Sequence, residues 1–315
     1  MSSERPTRDA IVATARESIA RGSKSFALAS KLFDRRTRER AWLLYAWCRH
    51  CDDVMDGQAL GGELGGGDDP AHRLAAIRVG TSRALAGESL GELQFDAIGT
   101  VAREVDLPRQ FIEDHLEGFA LDAQDWRPRT EDDLLRYSYH VAGAVGCMMA
   151  VIMGVDPADE DTLDRASDLG IAFQLANISR DLAEDARAGR CYLPQEWLAE
   201  LDVPPGEHMR PIYRKRMAAA AGWLLQLVED YEASARVGAA RLPPRSRWAV
   251  LSAAGIYGDI AREVARRGEH AWDTRVVTTK ADKLRWIGRS GMAAIRREAG
   301  RGVREDRDGL WTRPR

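Results

Sequence analysis

Apolar residues along the 315-residue chain recur mainly at three- and four-residue intervals, the spacing that lines one face of an α-helix, and strand-like alternation is almost absent. Asp34 stands where an N-cap is expected for a helix through DRRTRERAWLLYAWCRHCDDVMD, which Gly57 stops. Thr130, followed by Glu131, Asp132 and Asp133, caps a second helix that runs on towards Gly154. Further periodic segments lie at 69–86, 108–123, 159–188, 211–241, 244–267 and 280–298. Pro70, Pro108, Pro211 and Pro244 fall at or near first turns, where a missing N–H is harmless. The pattern predicts an all-α protein. Its longest apolar run, 141–155 (VAGAVGCMMAVIMGV), is too short to span a bilayer and reads as a buried helix whose Gly143, Ala144, Gly146 and Ala150 let a neighbour approach closely. The glycine-rich stretch 57–67 lacks a G-K-[ST] ending and a preceding strand, so it reads as a flexible loop between helices. With no fixed-period repeat and no dividing linker, a single domain is expected over 1–315, with mobile ends at 1–10 and 300–315.

Composition narrows the class. At 44% hydrophobic and 30% charged, the chain describes a globular protein and not a disordered one. Its 46 basic and 49 acidic side chains nearly cancel, which argues against a non-specific nucleic-acid binder, because such proteins need a cationic excess. Only Lys24, Lys31, Lys215, Lys280 and Lys283 are lysines; the other basic residues are arginines, whose planar forks suit carboxylate and phosphate. The opening MSSERPTRDA has no secretory apolar stretch, so a cytoplasmic location with reduced cysteines is expected. Cys48 and Cys51 form a C-x-x-C, yet no second pair or haem-type histidine accompanies them, and they read as packing residues. His50, His115 and His140 read the same way, since none has a second ligand at zinc spacing.

Two polar stripes on otherwise apolar helices carry the candidate chemistry. Tyr45, Arg49, Asp52 and Asp56 are spaced four, three and four apart, which places them within a sector of about 60°. Gln174, Asn177, Asp181 and Asp185, flanked by Arg180, are spaced three, four and four apart, within about 80°. Carboxylates at i and i+4 are about 6 Å apart and, at an effective dielectric of about 20, repel by about 3 kcal/mol. Inside a cavity they stay ionised only with cations between them. A solvated helix face explains either stripe alone. Two matched stripes beside apolar residues instead suit Mg²⁺ or Mn²⁺ held by oxygen ligands and bridged to substrate phosphate.

The segments SKSFALASKLFD (23–34), YAWCRHCDDVMDG (45–57), DHLEGFALD (114–122), YSYHVAGAVG (137–146), LGIAFQLANISRDLAEDARAGRCYLP (169–194) and AWDTR (271–275) together resemble the squalene and phytoene synthase family, in the same order. The wording is nearest to the bacterial, phytoene-forming branch. The resemblance implies the isoprenoid-synthase helical fold, with two aspartate-rich motifs facing each other across a central cavity. By position, Asp52 and Asp56 would bind metal from one wall, and Asn177, Asp181 and Asp185 from the other. Ser23, Ser25, Arg49, Arg180 and Arg275 match diphosphate-contacting positions; Phe26, Tyr45, Tyr139, Gln174 and Tyr257 match cavity residues near the reacting carbons. Ala176, where carotenoid members often have Thr, and Ser179 depart from the pattern without removing a ligand.

The implied reaction joins two geranylgeranyl diphosphates head to head, through prephytoene diphosphate, to phytoene. It requires cations beside the leaving diphosphate and a dry, aromatic-lined space for the carbocation. A thirty-carbon synthase using farnesyl diphosphate is the alternative within the family, and a non-catalytic helical assembly factor is a third reading that the intact acidic motifs oppose. A hydrocarbon product implies peripheral contact with a membrane and hand-over to a phytoene desaturase. Basic residues between Arg285 and Arg304 nevertheless read as a solvated helix face, with lipid contact as the alternative.

Overall fold

A computed structural model describes residues 6–57, 69–296 and 306–315, apart from the side chains of Ser25 and Arg296. The expected loop at 57–67 lies, beyond Gly57, outside the described residues. Thirteen α-helices and no strand are present among them: α1 (Arg8–Gly22), α2 (Lys24–Ser30), α3 (Arg35–Met55), α4 (Pro70–Leu85), α5 (Leu93–Val105), α6 (Arg109–Ala123), α7 (Glu131–Ser138), α8 (Ala144–Ile152), α9 (Glu160–Arg187), α10 (Gln195–Glu200), α11 (Arg214–Ala239), α12 (Pro244–Arg267) and α13 (Lys280–Arg296). The caps predicted at Asp34 and Thr130 form, and the structure adds one at Asp159. Asp34 accepts from the Thr37 N–H, Thr130 and Asp133 close a reciprocal capping box, and Asp159 accepts from the Thr162 N–H.

The helix expected at 130–154 is interrupted. A π-helical turn, Tyr139–Gly143, separates α7 from α8. Here α9 comes so close that a Cβ on Gly170 would sit 2.2 Å from the Ala142 carbonyl oxygen, and one on Gly146 would sit 2.2 Å from that of Ala166. Helix α9 is the axis of the fold, with α8, α11, α12 and the π-turn packed against it. One apolar cluster gathers around α9 and α11, including Leu175, Leu224, Val228 and Tyr231. A second gathers around α3, α5, α6 and α8, including Trp47, Ile98, Ile112 and Met148. The stripe of α3 and the stripe of α9 meet at the boundary between the two.

Residues 306–315 are held against α9. Arg307 grips fully buried Asp168 through two hydrogen bonds of 2.9 and 2.7 Å. Arg313 and Arg315 reach Asp164 at 3.0 and 2.9 Å and also pair with Glu160. The Trp311 N–H donates to the Tyr231 hydroxyl at 3.0 Å, and its ring lies 5.6 Å from that of Tyr139.

Candidate active site

Two adjoining chambers lie between α3, α6, the α7–α8 region and α9, and the inner one extends to α2, α11 and α12. The polar one, about 320 Å³, is lined by Arg49, Asp52 and Asp56 from α3 and by Gln174, Asn177, Asp181 and Asp185 from α9. Both stripes therefore face a common space. Behind it lies a cavity of about 400 Å³ whose walls are mostly apolar. Its aromatic lining comprises Phe26, Phe33, Tyr45, Phe119, Phe173 and Tyr257. Asp52, Phe119, Asp122 and Asn177 border both chambers, so a ligand with a charged head and a hydrocarbon tail can occupy the two at once.

The charges on the two walls differ in how they are satisfied. Asp52 is pushed up to about 7, chiefly by burial, which Arg49 opposes and Asp56 reinforces. Asp185 is pushed up to about 6 by burial and then by Asp181, one turn away. These raised values mark negative charge that the protein alone leaves under-compensated. Asp181 is the exception: Arg180 holds it with bonds of 2.7 and 2.5 Å, and Arg275 lies 2.8 Å from it. Arg180 and Arg275 accordingly sit behind Asp181, and neither is among the chamber-lining residues. Arg49 lines the chamber while pairing with Asp53 at 2.5 Å. Among the described residues no group of three His, Cys, Asp or Glu side chains is placed to hold a metal by itself.

Of the cavity residues assigned from sequence, Phe26, Tyr45 and Tyr257 line the apolar cavity, whereas Gln174 lines the polar chamber. Tyr45 stacks obliquely on Phe26 with ring centroids 5.7 Å apart, and burial pushes its phenol up to about 12. Tyr257 stacks on Phe173 at 4.2 Å. Ser23 lines the cavity while its hydroxyl accepts from the Phe26 N–H, capping α2. The side chain of Ser25 lies outside the described residues. Cys48 and Cys51 are free thiols on α3, and burial pushes both up. His115 packs between Trp47 and Phe119 and is pushed down to about 4 by burial.

Tyr139 departs from its sequence-based placement near the reacting carbons. It lines neither chamber, is fully buried, and donates its hydroxyl to Asp114 at 2.5 Å. Tyr137, two residues earlier, faces the polar chamber instead, because positions two apart on a helix point to nearly opposite sides. Its hydroxyl donates to Asp122 at 3.0 Å, and the Tyr192 hydroxyl reaches the same oxygen at 3.2 Å. Arg190 completes the polar wall. Sequence reasoning assigned none of Asp122, Tyr137, Arg190 and Tyr192, although all four lie inside the quoted motifs.

Comparison with known proteins gives the family and the fold. The family model described as squalene/phytoene synthase matches residues 19–282. A 15-cis-phytoene synthase of Paracoccus sp. is 47% identical over 96% of this chain and 98% of its own. One from Pantoea ananas is 46% identical over 95% and 96%. Among solved structures, a dehydrosqualene synthase crystallised with a ligand superimposes with a TM-score of 0.81 at 24% identity, covering 92% of this chain and 98% of that one, which establishes the shared all-α isoprenoid-synthase fold. The chain belongs to the squalene/phytoene synthase family.

Proposed function

We propose that the protein is a prenyltransferase that condenses two geranylgeranyl diphosphates head to head, by way of prephytoene diphosphate, to phytoene with release of diphosphate, a step of carotenoid biosynthesis. The observation that carries this reading is the junction of a two-walled acidic chamber with an aromatic-lined apolar cavity through Asp52, Phe119, Asp122 and Asn177. Near-full-length likeness to 15-cis-phytoene synthases supports the twenty-carbon substrate over farnesyl diphosphate.

The donor set fits Mg²⁺ or Mn²⁺. Asp52, Asp56, Asn177, Asp181 and Asp185 offer only oxygens, spread over two walls, which leaves room for phosphate oxygens and water in the shell of a hard cation. Such cations supply Lewis-acid stabilisation of the departing diphosphate. Arg49 and Arg190, on the chamber wall, bind its remaining charge. Arg180 and Arg275 hold Asp181 in place until the anion arrives. The rings of Phe26, Tyr45, Phe119, Phe173 and Tyr257 line the cavity, exclude water and offer their quadrupoles to the allylic cation. On the wall of the polar chamber, Tyr137 takes the final proton from carbon on its phenol oxygen while passing its own to Asp122; a held diphosphate oxygen is the competing acceptor. The test is extraction of products after supplying geranylgeranyl diphosphate with Mg²⁺. A forty-carbon hydrocarbon, abolished by a chelator and restored by added metal, is expected. Undiminished turnover in chelator would contradict the metal assignment.

A further inference from the structure

Six large apolar side chains are well exposed among the described residues, and four of them, Val277, Leu284, Met292 and Ile295, fall on or just before α13. Within α13, positions 281, 284, 288, 292 and 295 are Ala, Leu, Gly, Met and Ile, all exposed, and at about 100° per residue they occupy one sector of about 80°. Leu284, Met292 and Ile295 are 64%, 58% and 84% exposed. Lys280 and Lys283 border this stripe on one side, and Arg285 and Arg289 on the other. The basic positions alone fit a solvated face; the apolar stripe between them does not.

The opposite side of α13 is firmly seated. Trp286, Ser290 and Ala294 are buried, and Trp286 lies so close over Gly255 of α12 that a Cβ there would be 2.2 Å from its ring. The Trp286 indole N–H donates to Asp259 at 2.5 Å, and Trp248 of α12 donates to the Ile287 carbonyl at 2.7 Å. The outward stripe is thus a fixed feature of a docked helix. Helix α13 carries five basic residues and one acidic residue in a chain of net charge -3. Among the described residues, Lys280, Lys283 and Arg289 have no carboxylate partner within 4.0 Å; Arg289 lies over the Trp286 ring.

We propose that the outer face of α13 docks on an anionic lipid bilayer, with Leu284, Met292 and Ile295 entering the acyl boundary and Lys280, Lys283, Arg285 and Arg289 meeting lipid phosphates. A second copy of the chain is a poor occupant, because two such faces would bring like charges together. No described helix is long and apolar enough to cross a membrane, so α13 lies on the surface. Helix α12 carries α13 on one side and lines the apolar cavity with Val250, Ala253 and Ile256 on the other, which sets the cavity one helix away from the bilayer. The inference stands independently of the substrate assigned above.

The experiment is flotation of the full-length protein, without substrate, on vesicles of phosphatidylcholine alone and of phosphatidylcholine with about 30% phosphatidylglycerol. The wild-type chain is expected to float with the anionic vesicles, less so at high salt, and weakly with the neutral ones. L284S/M292S/I295S and K280E/K283E/R289E should each lower the partition coefficient about tenfold or more, with the melting temperature and the turnover in detergent unchanged. Wild-type protein that stays unbound, or variants that float as it does, would overturn the proposal. So would a stripe variant that converts a dimer to a monomer without altering vesicle binding, since the occupant would then be a second copy.

Discussion

Asp52 and the tyrosine pair at 137 and 139 give the sharpest tests of individual side chains. Because the folded protein holds the Asp52 proton up to about 7, against 3.8 for the ordinary carboxyl, the native state binds more protons than the unfolded chain between those values. The contribution of Asp52 to stability is therefore lost as pH rises through that window. In metal-free protein, Asp52→Asn should match wild type at pH about 4 and exceed it by about 1–3 kcal/mol at pH about 8, and added Mg²⁺ should stabilise wild type more than the variant. Equal denaturant midpoints for the two proteins at both pH values would contradict the placement. Tyr137→Phe should lower kcat by about tenfold or more with little change in melting temperature. Tyr139→Phe should do the reverse, losing about 1–3 kcal/mol by leaving Asp114 without its donor while turnover persists. At this scale the acidic stripes were legible, because spacing alone puts i and i+4 residues on one face. The choice between Tyr137 and Tyr139 was not, because both lie in one short motif and only the position of a neighbouring helix decides which of them faces the chamber.

Among the elements, strongly periodic helices were readable from sequence whether a side chain caps them, as in α3 and α9, or not, as in α11 and α12, and all four begin within a few residues of their expected starts. Helices α1, α2, α5 and the six-residue α10 were not anticipated. In α1, Ile11, Ala15 and Ile19 are buried among many polar residues, which dilutes the periodic signal. Helix α2 spans only seven residues. Helix α5 lacks a side-chain cap and depends on burying Phe95, Ile98 and Val101. The π-turn between α7 and α8 was likewise invisible, because it is imposed by the close approach of α9. That approach is testable. Gly146→Ala would put a methyl carbon 2.2 Å from the Ala166 carbonyl oxygen, where only backbone movement relieves it. A loss of about 2–3 kcal/mol in denaturant unfolding is expected. Because Gly146 also lines the apolar cavity, turnover should fall as well. A variant as stable as wild type would show that α8 and α9 are not packed this tightly.

For the molecule as a whole, long-range pairing was the part hardest to read in the chain. Residues 306–315 look like a loose charged end in sequence, yet Arg307, Arg313 and Arg315 clamp Asp164 and Asp168 some 140 to 150 positions earlier. Arg307→Ala would leave buried Asp168, among the described residues, with the Ser234 hydroxyl as its one hydrogen-bond donor and should cost about 3–5 kcal/mol in unfolding free energy. An unchanged midpoint would contradict the clamp. Because α9 bears this clamp at one end and Asn177, Asp181 and Asp185 towards the other, its position links the stability of the fold to the polar chamber. What that chamber and its apolar neighbour accept together is best measured by competition. Purified protein with Mg²⁺ and equal amounts of geranylgeranyl and farnesyl diphosphate should yield a forty-carbon hydrocarbon as the main product by mass spectrometry, whereas a thirty-carbon product, or none from geranylgeranyl diphosphate supplied alone, would contradict the proposed function.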